Sequence, residues 1–417
     1  NNVGEDMSVS KTDFSADRRG TGLNRYVSIG LPGVPSLDSK RTFFNRSFLV
    51  STNNLWKIGR GEFKANIDYS VNRVTADAAN ITTYFLDEGN RIITENREGT
   101  EHTHSLNGKF IYEQNQKTAF INNTLQTNID WNDIRLRTTG SMPNTQTADL
   151  PDYYISNRFK IIQRFKGKHL VTFESSNEWE SLPQTLNLDI NGNSCRQHIG
   201  DHAFYTHESA AYAFSLKGIT ISLEGGINGY WRSMNSELPE LPEQLSGMTE
   251  NVVHTNSFTV YATPKLEYWI KRVNLTLNLP VSFAHYSFDK AIANHDEVYF
   301  SPSLGFNWKP NNRFSGNIRG GIGRSPMNLN LIHPELIMMD YRTLKSGVNN
   351  FYNSTSQNVL ASFQYKCTRD GLFANGMVLH TWSHLPYTLS QQLYGDYAVY
   401  SYSDADNDSK SLIVLGS

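Results

Sequence analysis

The densest group of metal-type donors comprises Cys195, His198, Asp201, His202 and His207. A thiolate with imidazoles suits zinc or a related transition metal, which takes S and N ligands. The spacing fits no standard finger, and the stretch runs into a strand-like pattern that scatters alternate residues to opposite faces. The expected reading is an external loop with solvated histidines and no metal. His102 and His104 fall on one face of a strand, where they could share a metal or sense pH. No third ligand lies near them in sequence, so they are expected as ordinary lumen or surface histidines. Asp404, Asp406 and Asp408 copy the first three ligands of a calcium loop. Ser409 stands where its turn glycine belongs and Leu415 where its closing glutamate belongs, which leaves a solvated acidic loop.

Gly320, Gly321 and Gly323 before Arg324 hint at a phosphate cradle. They lie in an alternating stretch, where glycine marks a bend or a close approach, and the nucleotide reading is rejected. Glu178 and Glu180 flank Trp179 and share a strand face. A glycosidase needs its carboxylates across a cleft at a set separation, so these two read as same-face carboxylates of a lumen. No Ser/His/Asp or Cys/His set stands out; no catalytic residue is named, no enzyme is expected and no cofactor is implied. Asp152, Tyr153 and Tyr154, then Tyr230, Trp231 and Arg232, and the stretch 394–402 could stack on sugar rings and bond hydroxyls. Interfacial girdles need the same composition, so ligand-binding residues stay unassigned.

The elements that carry these residues announce themselves by strict alternation. Phe63, Ala65, Ile67, Tyr69 and Val71 alternate with charged and polar residues, and Ile219 to Trp231 does the same over a longer run. Two further sets run from Phe258 to Tyr268 and from Val273 to Phe283, and shorter ones cover 106–112, 121–131, 169–175, 304–308, 314–322 and 359–365. Period 2 means one apolar and one polar face per strand. Soluble strands are typically about 5–6 residues long, whereas several of these alternate for ten or more. Long strands with one apolar and one Asn/Thr/Ser/Glu face fit a barrel with lipid outside and water inside. Trp56, Tyr69, Trp131, Tyr230, Trp231, Tyr268, Trp269, Trp308 and Trp382 lie near segment ends, as interfacial girdles require.

Composition agrees. Mean hydropathy is −0.49, and no apolar run approaches the roughly 18 residues of a membrane helix. A transmembrane strand needs only about 10 residues, of which every second one meets lipid. Charges of 38 and 40 nearly cancel, so no global field draws nucleic acid. Two cysteines make no disulfide framework. Short turns are expected at 57–61, 309–313 and 366–371, and long loops at 139–152, 187–201, 234–255 and 324–353, with a helical turn in 236–248 or 334–344. A rough prior of 150 residues per domain would divide 417 residues into two or three. With no repeat, linker or composition break, residues 1–417 read as one domain.

The sequence Arg41-Thr-Phe-Phe-Asn45-Arg-Ser47, then Ser51-Thr-Asn-Asn-Leu-Trp56-Lys57 and the strand 61–72, resembles the barrel of Bacteroidetes TonB-dependent outer-membrane receptors. The branch is the one that carries a carboxypeptidase-regulatory-like N-terminal domain. Ile121-Asn-Asn-Thr-Leu125, Ser181-Leu-Pro-Gln-Thr-Leu186, Ile337-Met-Met-Asp340-Tyr-Arg-Thr-Leu344 and Leu31-Pro-Gly-Val-Pro-Ser-Leu37 match in order. The resemblance covers about residues 20–385 and rests on strand and turn sequences that carry no chemistry. It implies an all-β fold: a large antiparallel transmembrane barrel of about 22 strands when complete, closed around a plug. At roughly 20–25 residues per strand and loop, this chain is expected to supply 16 to 20 of them, as the plugless barrel segment of a longer protein.

The resemblance further implies TonB-dependent uptake of a glycan, peptide or metal complex across the bacterial outer membrane. The partners would be outer-membrane lipids and the TonB complex, the latter through an N-terminal region outside this sequence. The alternatives are a barrel that docks a surface lipoprotein or other outer-membrane proteins, and a soluble glycan-binding β-module.

Overall fold

The computed structural model describes residues 20–33 and 43–417, apart from 86–88, 142, 191, 239–248, 290–291, 370 and 396. Most of the stretch 236–248, and residues 34–37 and 41–42 of the motifs above, lie outside the described residues.

Alternation and tight turns build one antiparallel sheet of nineteen strands among the described residues. It opens with β1 (Phe43–Ile58), β2 (Gly61–Tyr84), β3 (Arg91–Asn115) and β4 (Ala119–Gly140). The next two passes are each broken in two, as β5 (Asn144–Asp149) with β6 (Asp152–Phe165), and β7 (His169–Ser181) with β8 (Gln184–Ile190). β9 (Asn193–Leu216), β10 (Ile219–Glu237) and β11 (Glu250–Ile270) run whole. Two more broken passes follow, β12 (Val273–Asn278) with β13 (Val281–Phe288), and β14 (His295–Phe300) with β15 (Ser303–Trp308). After β16 (Phe314–Pro326) the chain leaves the wall through a 3-10 turn at Leu329–Leu331 and two short strands, β17 (Ile337–Asp340) and β18 (Thr343–Lys345). It returns as β19 (Asn353–Cys367) and β20 (Leu372–Leu385), makes the hairpin β21 (Thr388–Tyr394) and β22 (Tyr397–Ser403), and ends in β23 (Asn407–Gly416) beside β20. Four broken passes reduce the nineteen strands to fifteen crossings of the wall.

Each break holds a proline: Pro151, Pro183, Pro280 and Pro302. Proline has no N–H for the ladder, so pairing steps there. Neighbouring steps line up, with Asp149 opposite Thr185 on one side and Tyr153 opposite Ser181 on the other.

Fifteen crossings fall below the expected 16 to 20 because single passes are long; β3 alone has 25 residues. The expected loops at 139–152 and 187–201 are mostly strand, namely β5 and the hairpin of β8 and β9. They read as loops because both faces of the sheet are partly polar there, which hides the alternation. The stretch 334–344 is strand rather than helical turn.

Connections at one rim are short. Lys217 (φ 46°) and Gly218 (φ 86°) both take the left-handed conformation that a two-residue hairpin needs to match strand twist. The 237–250 and 326–353 connections lie at the other rim. The outer face near the short turns is an apolar belt, with Ile219, Ile221, Leu223, Ile227 and Trp231 of β10 all exposed. That run is close to the roughly 10 residues that cross a bilayer. Aromatic pairs edge the belt: Trp56 with Phe63 (5.7 Å), Trp308 with Phe314 (5.4 Å) and Phe204 with Trp231 (5.8 Å). Tyr230 and Trp269, expected in the girdles, sit on the opposite face of their strands from Trp231 and Tyr268 and so point inward. One polar island interrupts the belt. Ser175 donates to Glu208 (2.7 Å) and Thr206 to Asn177 (2.8 Å), so these outward groups satisfy one another.

Candidate functional site

The inner face is polar near the short turns and mixes buried apolar and polar side chains above. Asn107 donates to Asp68 (3.4 Å) and Asn128 to Asn107 (2.6 Å) in the lower half. Lys265, Glu267, Asn274, Thr276 and Arg319 line an inward cavity of about 660 Å³. A second cavity of about 410 Å³ lies between Tyr205, His207, Glu224, Asn228 and Tyr261.

Above these cavities two segments of the chain enter the lumen: residues 20–33 and the 327–352 excursion. Tyr26, Val27 and Ile29 of the first pack with Ile332, Leu336, Ile337, Met338 and Leu344 of the second, against Leu186, Ile199 and Met234 of the wall. The two segments touch through the Ser28 N–H donating to the Met339 carbonyl (2.9 Å).

Wall amides hold these segments by copying backbone. Gln197 accepts from the Met338 N–H (2.7 Å) and donates to the Met338 carbonyl (2.8 Å). Asn251 accepts from the Glu335 N–H (2.9 Å) and donates to its carbonyl (3.3 Å). Gln184 accepts from the N–H groups of Tyr26 (2.8 Å) and Val27 (3.0 Å), and Gln146 from that of Tyr341 (3.0 Å). β17 pairs with β18, and β18 with β22, so the amides serve the backbone groups that this small sheet leaves over.

A charged hub lies at the centre. Arg232 donates Nε to Asp201 Oδ1 and Nη2 to Asp201 Oδ2, both at 2.9 Å, with both side chains wholly buried. Nη2 also donates to the Tyr26 hydroxyl (2.7 Å), which in turn donates to the Asn330 carbonyl (3.2 Å). Tyr230 donates to Asn330 Oδ1 (2.5 Å), and Asn330 Nδ2 donates to the Gly22 carbonyl (2.7 Å). Burial pushes the Tyr26 hydroxyl well above the ordinary tyrosine range, with Arg232 opposing. His333 packs edge-on to Tyr26 at 5.0 Å, and its Nδ1 accepts from the Gly347 N–H (3.0 Å). Burial, then the charges of Arg232 and Lys345, lowers His333 to about 3, so the ring is neutral. Gly347 has no room for a side chain, since a Cβ would lie 1.9 Å from the Leu331 oxygen.

The sequence candidates take other places. Cys195 to His207 is strand β9 rather than loop. Asp201 points inward to Arg232 while His198 and His202 are exposed, and His207 bonds Asn228 (2.6 Å). Among the described residues no group of metal ligands forms there or elsewhere. His104 bonds the Tyr69 hydroxyl (2.9 Å) on the outer face. Asp406 and Asp408 lie against His384 (3.7 and 3.0 Å), and Asp404 accepts from Tyr352. Gly320, Gly321 and Gly323 are in β16, and Arg324 pairs with Glu297 (3.3 Å).

Glu178 and Glu180 are buried on one inner face. Glu178 pairs with Arg158 (3.1 Å) and accepts from Gly20 N–H (3.3 Å), while Glu180 accepts from Leu23 N–H (3.2 Å). They clasp the entering segment. Asp152 to Tyr154 opens β6, and Tyr230 to Arg232 is mid-strand, so neither is a loop. Within 394–402, Tyr402 packs on Tyr387 (5.6 Å) beneath Lys345 (5.5 Å). Gln146, Gln184, Gln197, Asn251 and Asn330 were missed. The first four are amides on the inner face of wall strands, and Asn330, in the 3-10 turn, carries no such signal.

No protein-family model and no curated protein matches the sequence. The structure is similar to the copper transporter OprC (TM-score 0.50, 9% identity, 90% of this chain and 57% of that one). It is also similar to the outer-membrane transporter YddB from Escherichia coli (TM-score 0.51, 10% identity, 90% of this chain and 52% of that one). The chain spans about half the length of these transporters. At that identity the likeness concerns the fold, a large antiparallel β-barrel wall.

Proposed function

We propose that this chain is the wall of an outer-membrane transporter that moves a ligand through a gated lumen, driven through TonB. The supporting observation is the lumen itself, polar and cavity-bearing below and filled above by residues 20–33 and 327–352. Passage requires the filling to shift, which distinguishes a gated carrier from an open pore. The fold likeness and the apolar belt support a site in the bacterial outer membrane. A branch of Bacteroidetes receptors and a single barrel domain over 1–417 fit the sequence resemblance. The ligand class, whether glycan, peptide or metal complex, follows from no side chain named here.

The amide clamps favour a second reading, in which the filled mouth is permanent and the barrel serves to dock partner proteins. The test places a single cysteine at Asn317, on the inner face, in the full-length protein with Cys195 and Cys367 changed to serine. Transport predicts that a membrane-impermeant maleimide reaches it from outside only in cells with an intact proton-motive force. Equal labelling with and without that force would indicate an open pore. Absence of labelling in both would favour the docking reading.

A further inference from the structure

Each of the seven turns at the short-turn rim carries at least one exposed cation among the described residues. Lys57 and Arg60 flank the turn between β1 and β2, Lys117 lies between β3 and β4, Lys166 and Lys168 between β6 and β7, and Lys217 between β9 and β10. The three remaining turns each hold both Lys and Arg or two adjacent cations. The only acidic residue inside any of these turns is Asp370. At the other rim β10 ends on Glu237 and β11 begins on Glu250. On a chain of net charge −2, the short turns are therefore net positive.

Height is the second observation. Outward apolar residues come directly before the turn cations, as Phe165 before Lys166 and Leu216 before Lys217. Aromatic rings sit at the headgroup boundary, and a lysine one step further reaches the phosphate layer with its stem on the apolar edge. We infer that the short-turn rim is a ring-shaped binding surface for the phosphates of anionic lipid headgroups in the adjoining leaflet. This rests on the proposed membrane placement of the belt. The ring attracts anionic over zwitterionic lipid because the neighbouring turns at Lys117, at Lys166 to Lys168 and at Lys217 face one headgroup layer, and no carboxylate stands in them or directly beside them.

The test uses the full-length protein in nanodiscs mixing phosphatidylcholine with phosphatidylglycerol, with bound lipids counted by native mass spectrometry. Wild type is expected to retain phosphatidylglycerol preferentially. Lys117→Gln, Lys166→Gln, Lys168→Gln and Lys217→Gln combined should cut that preference, by about fivefold for each cation that meets a headgroup. The same four positions changed to Arg should keep it, which separates charge from folding damage. An unchanged preference in the Gln variant overturns the inference. So does complete displacement of the lipid by inorganic phosphate, which would make the ring a site for free anions. Insertion is read independently from the compact band on unheated gels, and a wild type that fails to insert overturns the membrane placement instead.

Discussion

Arg232 and Asp201 are both wholly buried, so removing one partner leaves an uncompensated charge inside the lumen. Arg232→Met is expected to cost about 3–5 kcal/mol in urea unfolding of the full-length protein in lipid vesicles. Arg232→Met with Asp201→Leu should recover most of that, and no recovery would mean that the hub's hydrogen bonds to Tyr26 matter more than its charges. His333 sets a pH dependence. Its folded value is about 3 against an ordinary 6.5, so below pH 6.5 the unfolded chain binds a proton that the folded chain refuses. Stability should rise with pH from about 3 to 6.5, by up to about 1.4 kcal/mol per unit, and level off above. His333→Asn keeps an acceptor for Gly347 and should flatten this slope relative to wild type.

Among the elements, the 327–352 excursion pairs with β22 through β18, and side-chain amides of the wall hold the edge of β17 that no strand covers. Gln197→Leu leaves the Met338 N–H and carbonyl buried without partners, at about 2–4 kcal/mol. That cost falls on the filled state of the lumen and not on the wall, whose ladders are intact. Hydrogen exchange should therefore accelerate at 335–341 while β9 stays protected. Equal acceleration in both would show the excursion and the wall to be one cooperative unit. The proline steps have the opposite character, because Pro151 and Pro183 give up ladder bonds in neighbouring passes at the same height. The wall can change course there without leaving half-made bonds.

For the molecule as a whole, the two faces of one strand meet different solvents. Leu223 is exposed on the belt, whereas Ser222 points into the lumen. Leu223→Arg is expected to destabilise by about 2–4 kcal/mol in lipid vesicles, and Ser222→Arg by much less. Equal effects in urea titrations would contradict the belt's contact with lipid. The basic ring belongs to this scale too. Its lysines lie in turns such as Lys57 to Gly61 that were legible in the sequence as turns, for their Gly, Asn and Asp, but their shared sign gains meaning only when all the turns meet at one rim.

Sequence by itself determined the fold class, since period-2 alternation over ten or more residues leaves little but a two-faced wall. It also determined the short turns and the belt, because both depend on neighbours within a few residues. Alternation further showed that Glu178 and Glu180 share a face, though not that they would clasp Gly20 and Leu23. Tertiary structure decided the interior. Tyr26, Asp201, Arg232 and Asn330 lie up to 304 positions apart, and nothing local distinguishes Asp201 from a metal ligand or Gln197 from a surface amide. Their partners are set by which segments enter the lumen, and that is decided by burial of Ile337, Met338 and Leu344 against a wall assembled from the whole chain. Above the belt the outer face is wet, alternation fades, and β5 and β8 look like loops until their neighbours pair with them.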